Sequence, residues 1–337
     1  MPASSAAAAE PTIDYVIQIS REAGKLIKEG FHRTKHIDCK VSAADLTACA
    51  DFVETPLVRF PTGFTEQCVV QVTETDVSVE KFLINTISES FPNHKFLAEE
   101  SAQDEDVLSS YPTWIIDPID GTTNFVCTFP QCASCKSHND DASVSFIDLD
   151  FSAIAYAVDK EIKLACIHNP ITNESWYASI GEGSYYISPD SSEPVRIQTS
   201  GREQLGDALV SLGYNVPLLR SDQKDTERAK RIADAVCKNH RMLMYNSRDI
   251  RRVGSAAIDL CYVAMGREDC YFELGIKEWD IAAGLLILSE AGGCYSLLNG
   301  EMPEDFLHRR QILACATETL RAEMSSKLEY VDWWEGL

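Results

Sequence analysis

The chain has 337 residues, of which 45% are hydrophobic and 24% charged, enough for one large domain or two subdomains sharing a core. Acidic residues outnumber basic ones 52 to 30, and the net charge of −22 makes nucleic acid and anionic membranes poor partners. No apolar run approaches the ~18–20 residues that cross a bilayer, and the twelve scattered cysteines read as reduced thiols of a cytoplasmic protein.

Residues 1–11 are small and Ala-rich with no basic flank, and they read as a disordered lead. Residues 12–31 space Ile13, Val16, Ile17, Ala23, Leu26 and Ile27 as an amphipathic helix. Thr75 or Asp76 can cap a second helix over 77–91. A short strand over 96–98 ends at Glu99-Glu100. An apolar strand, Trp114-Ile115-Ile116, stops at Asp117-Pro118. Residues 153–158 and 164–168 read as paired strands around Asp159-Lys160, followed by a strand over 176–178 and a turn at Gly181 and Gly183. Further strands are expected over 209–213 and 270–273. Helices are expected over 225–240, 255–265 and 280–291, the last closed by Gly292-Gly293. The mixture implies α/β or α+β layers without internal repeats.

The chemistry centres on residues 114–125. A buried strand delivers Asp117 and Asp120 around rigid Pro118 and permissive Gly121, so a tight turn can aim both carboxylates and a carbonyl at one place. Hard cations such as Mg²⁺ take that ligand set, and a cation relieves the repulsion between close carboxylates. The plain alternative is an Asp-rich turn held by its own hydrogen bonds. For Glu99-Glu100 the alternative is a solvated strand end, and for Asp280 it is an N-cap at a helix start.

Together these segments resemble the inositol monophosphatase family of lithium-sensitive, metal-dependent phosphatases. The resemblance rests on Glu99-Glu100-Ser101, on residues 114–125, on Gly254-Ser255-Ala256-Ala257, on residues 279–284 and on Glu290-Ala291-Gly292-Gly293. It is supported by residues 72–76 and by Lys40, Ser42 and Asp45-Leu46. It implies a layered αβαβα sandwich as one catalytic domain over 12–337, with a metal-binding half over about 12–195 and a substrate-side half over about 196–337. It also implies two to three Mg²⁺ ions. Glu99, Asp117 and the Ile119 carbonyl would hold one, Asp117, Asp120 and Asp280 a second, and a third would lean on Glu99 and water. Thr122 would hydrogen-bond the attacking water, and Gly121 and Thr122 would offer N–H groups to the phosphate. Ser255, Ala256 and Glu273 would face the alcohol portion of a small phosphorylated polyol. Asp45, Asp76 and Lys40 would sit at the rim or behind the ligands. A homodimer is the family's usual state.

The sequence departs from the family pattern at Ala98, where glycine is usual, and at Cys127, where histidine is usual. Two atypical insertions, 47–71 and 131–152, interrupt it abruptly. They read as translated introns, as surface loops, or as a regulatory or metal-binding element. Cys132, Cys135 and His138 offer a zinc-like spacing without a second half. The competing functions are hydrolysis of another small phosphate, such as a 3′-phosphonucleotide, fructose bisphosphate or histidinol phosphate, and a non-catalytic metal-binding relative. No nucleotide-binding loop motif and no Ser-His-Asp signature stands out.

Overall fold

The computed structural model describes residues 10–31, 37–39, 52–54, 59–61, 71–103, 107–127, 151–214 and 226–330. Lys40, Ser42, Asp45 and the Cys132–Cys135–His138 spacing lie outside them, as does most of both insertions.

The described residues form alternating helical and sheet layers. The outer helical layer is α1 (Ile13–Phe31) and α2 (Glu74–Ser90). It packs on a seven-stranded sheet in the order β11-β10-β9-β8-β7-β6-β5. Those strands are β5 (Lys95–Ala98), β6 (Thr113–Asp120), β7 (Phe151–Val158), β8 (Glu161–Asn169), β9 (Glu174–Ser179), β10 (Gly183–Ile187) and β11 (Val195–Ile197). The short helix α3 (Thr122–Cys127) follows β6. Helices α5 (Ala256–Ala264) and α6 (Glu278–Glu290) fill the middle layer.

A five-stranded sheet comes next, in the order β13-β12-β14-β16-β15. It contains β12 (Leu209–Leu212), β13 (Asp249–Arg251), β14 (Cys270–Leu274), β15 (Cys294–Ser296) and β16 (Gln311–Cys315). Helices α4 (Thr226–Asn246) and α7 (Glu318–Lys327) cover its outer side. Two small antiparallel pairs complete the description: β1 (Ile37–Cys39) with β4 (Gln71–Thr73), and β2 (Phe52–Glu54) with β3 (Arg59–Pro61).

Side-chain alternation builds three cores from two sheets. Trp114, Ile116, Ile154 and Tyr156 face α1 and α2, whereas Ile115, Ala153, Ala155 and Ala157 face the middle helices. Tyr271, Ile312 and Ala314 meet the same helices from the second sheet, and Phe272, Leu274 and Leu313 turn to the outer helices. Strands buried on both faces read as continuous apolar runs. Helix α6 is apolar all round, with Ile281 through Leu288 buried, so it belongs between two sheets and not on a surface. Each large side chain so buried contributes about 1.5–3 kcal/mol.

Several expectations shift. The N-cap of α2 is Thr73, not Thr75 or Asp76; Thr73 and Asp76 form a reciprocal capping box. Asp280 is the third residue of α6, not its opener, and its Oδ2 accepts from Lys277 N at 2.6 Å. Strand β6 does not stop at Asp117 but continues to Asp120. Helix α4 extends to Asn246, six residues past the expected end, because Val236 and Leu243 join the third core. Gln71 belongs to β4, and Phe151 and Ser152 to β7, so both insertions are shorter than their pattern suggested. The strand periods of β2 and β3, within the first insertion, were not anticipated, nor was β16, the partner of both β14 and β15. The Asp159-Lys160 hairpin holds: both residues have positive φ, 53° and 66°, as a two-residue turn of that hand requires.

Candidate active site

The site forms where β5 and β6 run out beside the middle layer. These strands are parallel, with Ala98 opposite Ile116, and Glu99 N donates to Ile116 O at 3.1 Å. That register sets Glu99 beside Asp117. In a regular strand, residues three apart face opposite sides, so Asp117 and Asp120 would diverge. The pairing with β7 prevents this. Asp117 lies opposite Ala153 and Asp120 opposite Phe151, which inserts one extra residue into β6. A bulge of that kind reverses the side-chain parity. The device that unites the two aspartates is therefore a bulge within the strand, not a tight turn between them. Gly121 follows with φ +86°, and its carbonyl accepts from Asn124 N at 2.7 Å to start α3. A side chain is strained at that φ.

Asp120 is held from the middle layer. Its Oδ2 accepts from Ser255 Oγ and from Ala257 N, each at 2.7 Å. Ser255 also caps α5, its Oγ accepting from Ile258 N at 3.3 Å. Ser255 is thus 2% exposed and bonded to a carboxylate, while Ala256 lines the cleft. Thr122 Oγ1 lies 3.2 Å from the Ile119 carbonyl and 3.5 Å from Asp76 Oδ1. Asp76 is fully buried behind it.

The carboxylates act on one another. Burial first, then the charges of Glu99, Asp120, Asp280 and Asp76, hold Asp117 well above the ordinary carboxylate range. Burial likewise pushes Asp120 up to about 6, against the donations from Ser255 and Ala257. Asp280 is raised by burial and by Asp120 and Glu99. Burial raises Asp76 to about 6 despite its bonds to Thr73. Asp117 is 1% exposed, and its Oδ1 has no hydrogen-bond partner. A buried, unsatisfied carboxylate oxygen costs several kcal/mol unless something cationic meets it.

These residues fit a hard divalent cation: oxygen donors only, mutually repelling, with one oxygen left bare. Among the described residues no three His, Cys, Asp or Glu side chains close on a common point.

Asp120 and Asp280 form one part of a cleft, and Glu273 another. Tyr271 OH donates to Glu273 Oε2 at 2.5 Å, and burial raises Glu273 to about 7. Gly213 and Arg252, which sequence reasoning passed over, also line the cleft. A Cβ on Gly213 would stand 1.9 Å from Glu273 Oε2, so only glycine leaves the carboxylate its place. The one hint of this in the sequence was a glycine at the end of an apolar strand.

Residues 8–331 match the profile of the Inositol monophosphatase family. The chain belongs to that family. It is 29% identical over 322 residues to Inositol monophosphatase 1 of Bos taurus, covering 95% of this chain and 94% of the bovine protein. It is 30% identical over 304 residues to Inositol monophosphatase 1 of Homo sapiens, covering 90% and 88%. Among solved structures, the Thermotoga maritima IMPase TM1415 superposes with a TM-score of 0.66 at 26% identity, covering 93% of this chain and 94% of the other. The extragenic suppressor protein suhB from Bartonella henselae gives the same TM-score at 25% identity, covering 96% and 98%. The layered sandwich is the family's fold. Membership makes this chain a phosphatase of that family, acting on small phosphorylated substrates. No helix among the described residues is long and apolar enough to cross a membrane.

Proposed function

We propose that the protein hydrolyses small phosphate monoesters, myo-inositol monophosphate foremost, with two to three Mg²⁺ ions and no covalent intermediate. The observation that carries this reading is the bare, buried Oδ1 of Asp117 among the charges of Glu99, Asp120 and Asp280. Asp117 would serve both principal ions, Glu99 and the Ile119 carbonyl one of them, and Asp120 and Asp280 the other. Bound there, Mg²⁺ supplies an acidified water and charge neutralisation for the phosphate and the leaving oxygen.

The protein's own groups do the positioning, which is most of what phosphoryl transfer requires. Ser255 Oγ and Ala257 N fix Asp120. Lys277 N fixes Asp280. Thr122 Oγ1 lies between Ile119 O and Asp76, and it would orient the attacking water. Gly121 and Thr122 would present their N–H groups to the phosphate, and Ala256 and Glu273 would meet the polyol. Ser255 would act on the substrate only through Asp120. On the same reading the enzyme is a cytoplasmic homodimer, sensitive to lithium.

The test is phosphate release from myo-inositol 1-phosphate by the full chain, with millimolar Mg²⁺ and with excess chelator. Release that depends on Mg²⁺ and falls with millimolar Li⁺ is expected. Release unchanged by chelator would overturn the metal role, and a folded protein that leaves the ester intact would overturn the substrate.

A further inference from the structure

The cleft walls are acidic with one exception. Among the described residues lining it, Arg252 is the only cation, in company with Asp120, Asp280 and Glu273. Its guanidinium stacks on the ring of Tyr214, 4.2 Å from Cζ to the ring centroid. Stacking fixes the plane of the guanidinium yet leaves its N–H edge available. Among the described residues, no ion pair or hydrogen bond of Arg252 competes for that edge. The residue is exposed. Its charge is felt across the cleft, where it opposes the rise of the Glu273 carboxyl.

Arg251, next in the chain, behaves differently. It turns away, its Nη1 bonded to Asp249 Oδ2 at 2.6 Å and to Ile250 O at 2.9 Å. Consecutive arginines thus have separate fates, one tied off on strand β13 and one held ready over the cleft. A planar guanidinium with a free N–H edge is the group suited to bidentate recognition of a phosphate or carboxylate. The scissile phosphate is not its natural partner, because the aspartate cluster, once it holds its cations, is the stronger anion trap. Arg252 instead stands with Glu273 on the wall that would meet the alcohol portion.

We infer that Arg252 is a specificity-determining residue that recognises a second anionic group on the alcohol portion of the substrate. The inference rests on the phosphatase reading above, and within the small phosphate monoesters it favours those with a second anion over the neutral myo-inositol monophosphate placed foremost there. A neutral polyol phosphate would engage Glu273 and leave the guanidinium unused. An ester with a further phosphate or carboxylate would engage both. Such a substrate must come from a reaction that phosphorylates a compound already bearing an anion, and its product retains that anion.

The experiment measures kcat/KM of the full chain with Mg²⁺ on three esters: β-glycerophosphate, with no second anion; fructose 1,6-bisphosphate, with a second phosphate; and 3-phosphoglycerate, with a carboxylate. The wild type is expected to favour one or both of the doubly anionic esters, and which one it favours identifies the anion. Arg252→Gln should lower kcat/KM for the favoured ester about 10- to 100-fold, mostly through KM, the scale of a lost charge-assisted bond. It should change β-glycerophosphate less than about 3-fold, and Arg252→Lys should recover part of the loss because it keeps the charge without the fork. An equal fall on all three esters would place Arg252 on the scissile phosphate and overturn the inference. So would a wild type active on all three without preference. A wild type inactive on these esters but active on myo-inositol 1-phosphate would overturn the inference alone, and one inactive on all four would overturn the phosphatase reading and the inference with it.

Discussion

The protein buries two groups of carboxylates against helix α5, and they meet different fates. The first, Asp117, Asp120 and Asp280 with Glu99 beside them, borders a cleft and keeps one oxygen bare. The second, Asp259 and Glu268, sits deeper. Asp259 Oδ1 accepts from Ser211 Oγ at 2.5 Å, and the charge of Glu268 acts on Asp259. Burial raises both carboxyls, and the charge of Glu268 adds to the rise of Asp259, which favours a pair that holds a proton. Neighbouring Asp269 is tied off by Ser200 Oγ and Leu209 N, at 2.5 and 2.7 Å. Acidity and burial are common to both groups. One bare buried oxygen is common to both as well, Asp117 Oδ1 and Glu268 Oε2; what separates the groups is access, because the first borders a cleft with room for a cation.

The two groups should part most sharply at Asp117. Asp117→Asn keeps the shape and removes a charge shared by both proposed principal ions. Turnover should fall at least about 100-fold, since several kcal/mol of charge stabilisation depend on it. Steady-state phosphate release measures this, and a variant with near-normal turnover would remove Asp117 from the machinery.

A smaller effect is expected at the cleft wall. Gly213→Ala forces the Glu273 carboxylate from its place. Because the displaced atoms are the tip of a side chain, the fold should survive with a loss of about 1 kcal/mol or less. The KM for inositol monophosphate should rise about 10-fold, the worth of one lost hydrogen bond. An unchanged KM would mean that Glu273 does not meet the polyol.

The sealed pair should respond in stability and not in activity. Burial raises Glu268 from 4.5 to about 8, with Asp269 adding to the rise and Arg251 opposing it. The folded state therefore holds a proton that the unfolded state has released between those values. Unfolding free energy contributed by this group is fully present below about 4.5 and is lost as pH rises through about 8. Glu268→Gln has no such proton to lose. Denaturant titrations from pH 5 to pH 8.5 should show its stability gaining on the wild type as pH rises, with phosphate release little changed. A constant gap across that range would mean that the pair does not hold a proton.

Much of this organisation was legible in the sequence. Residues 114–125 announce a buried strand ending in carboxylates, and the all-apolar stretch of α6 announces a buried helix carrying Asp280. The device that joins Asp117 to Asp120 was not legible, because a bulge is a property of pairing. Of the partner residues that create it, Ala153 opens an expected strand, but Phe151 lies in a stretch whose pattern looked foreign. Ser255 was expected at the substrate, yet its hydroxyl binds Asp120; a contact spanning 135 positions leaves no local signature. Gly213 and Arg252 were passed over for the same reason. Gly213 follows the end of β12 and Arg252 the end of β13, and only the folded chain brings them to the cleft with Glu273.

The most direct test of the account is thermal unfolding of the wild type and Asp117→Asn, each with and without millimolar Mg²⁺. A cation bound by the folded state alone raises stability by RT ln(1 + [L]/Kd), about 2.7 kcal/mol at a hundredfold excess over Kd. The wild type should therefore melt several degrees higher with Mg²⁺. Asp117→Asn should melt at or above the metal-free wild type, relieved of a buried repulsive charge, and should gain little from Mg²⁺. A wild-type melting temperature indifferent to Mg²⁺, or a variant that responds as fully as the wild type, would contradict the claim that these carboxylates are built to hold a divalent cation.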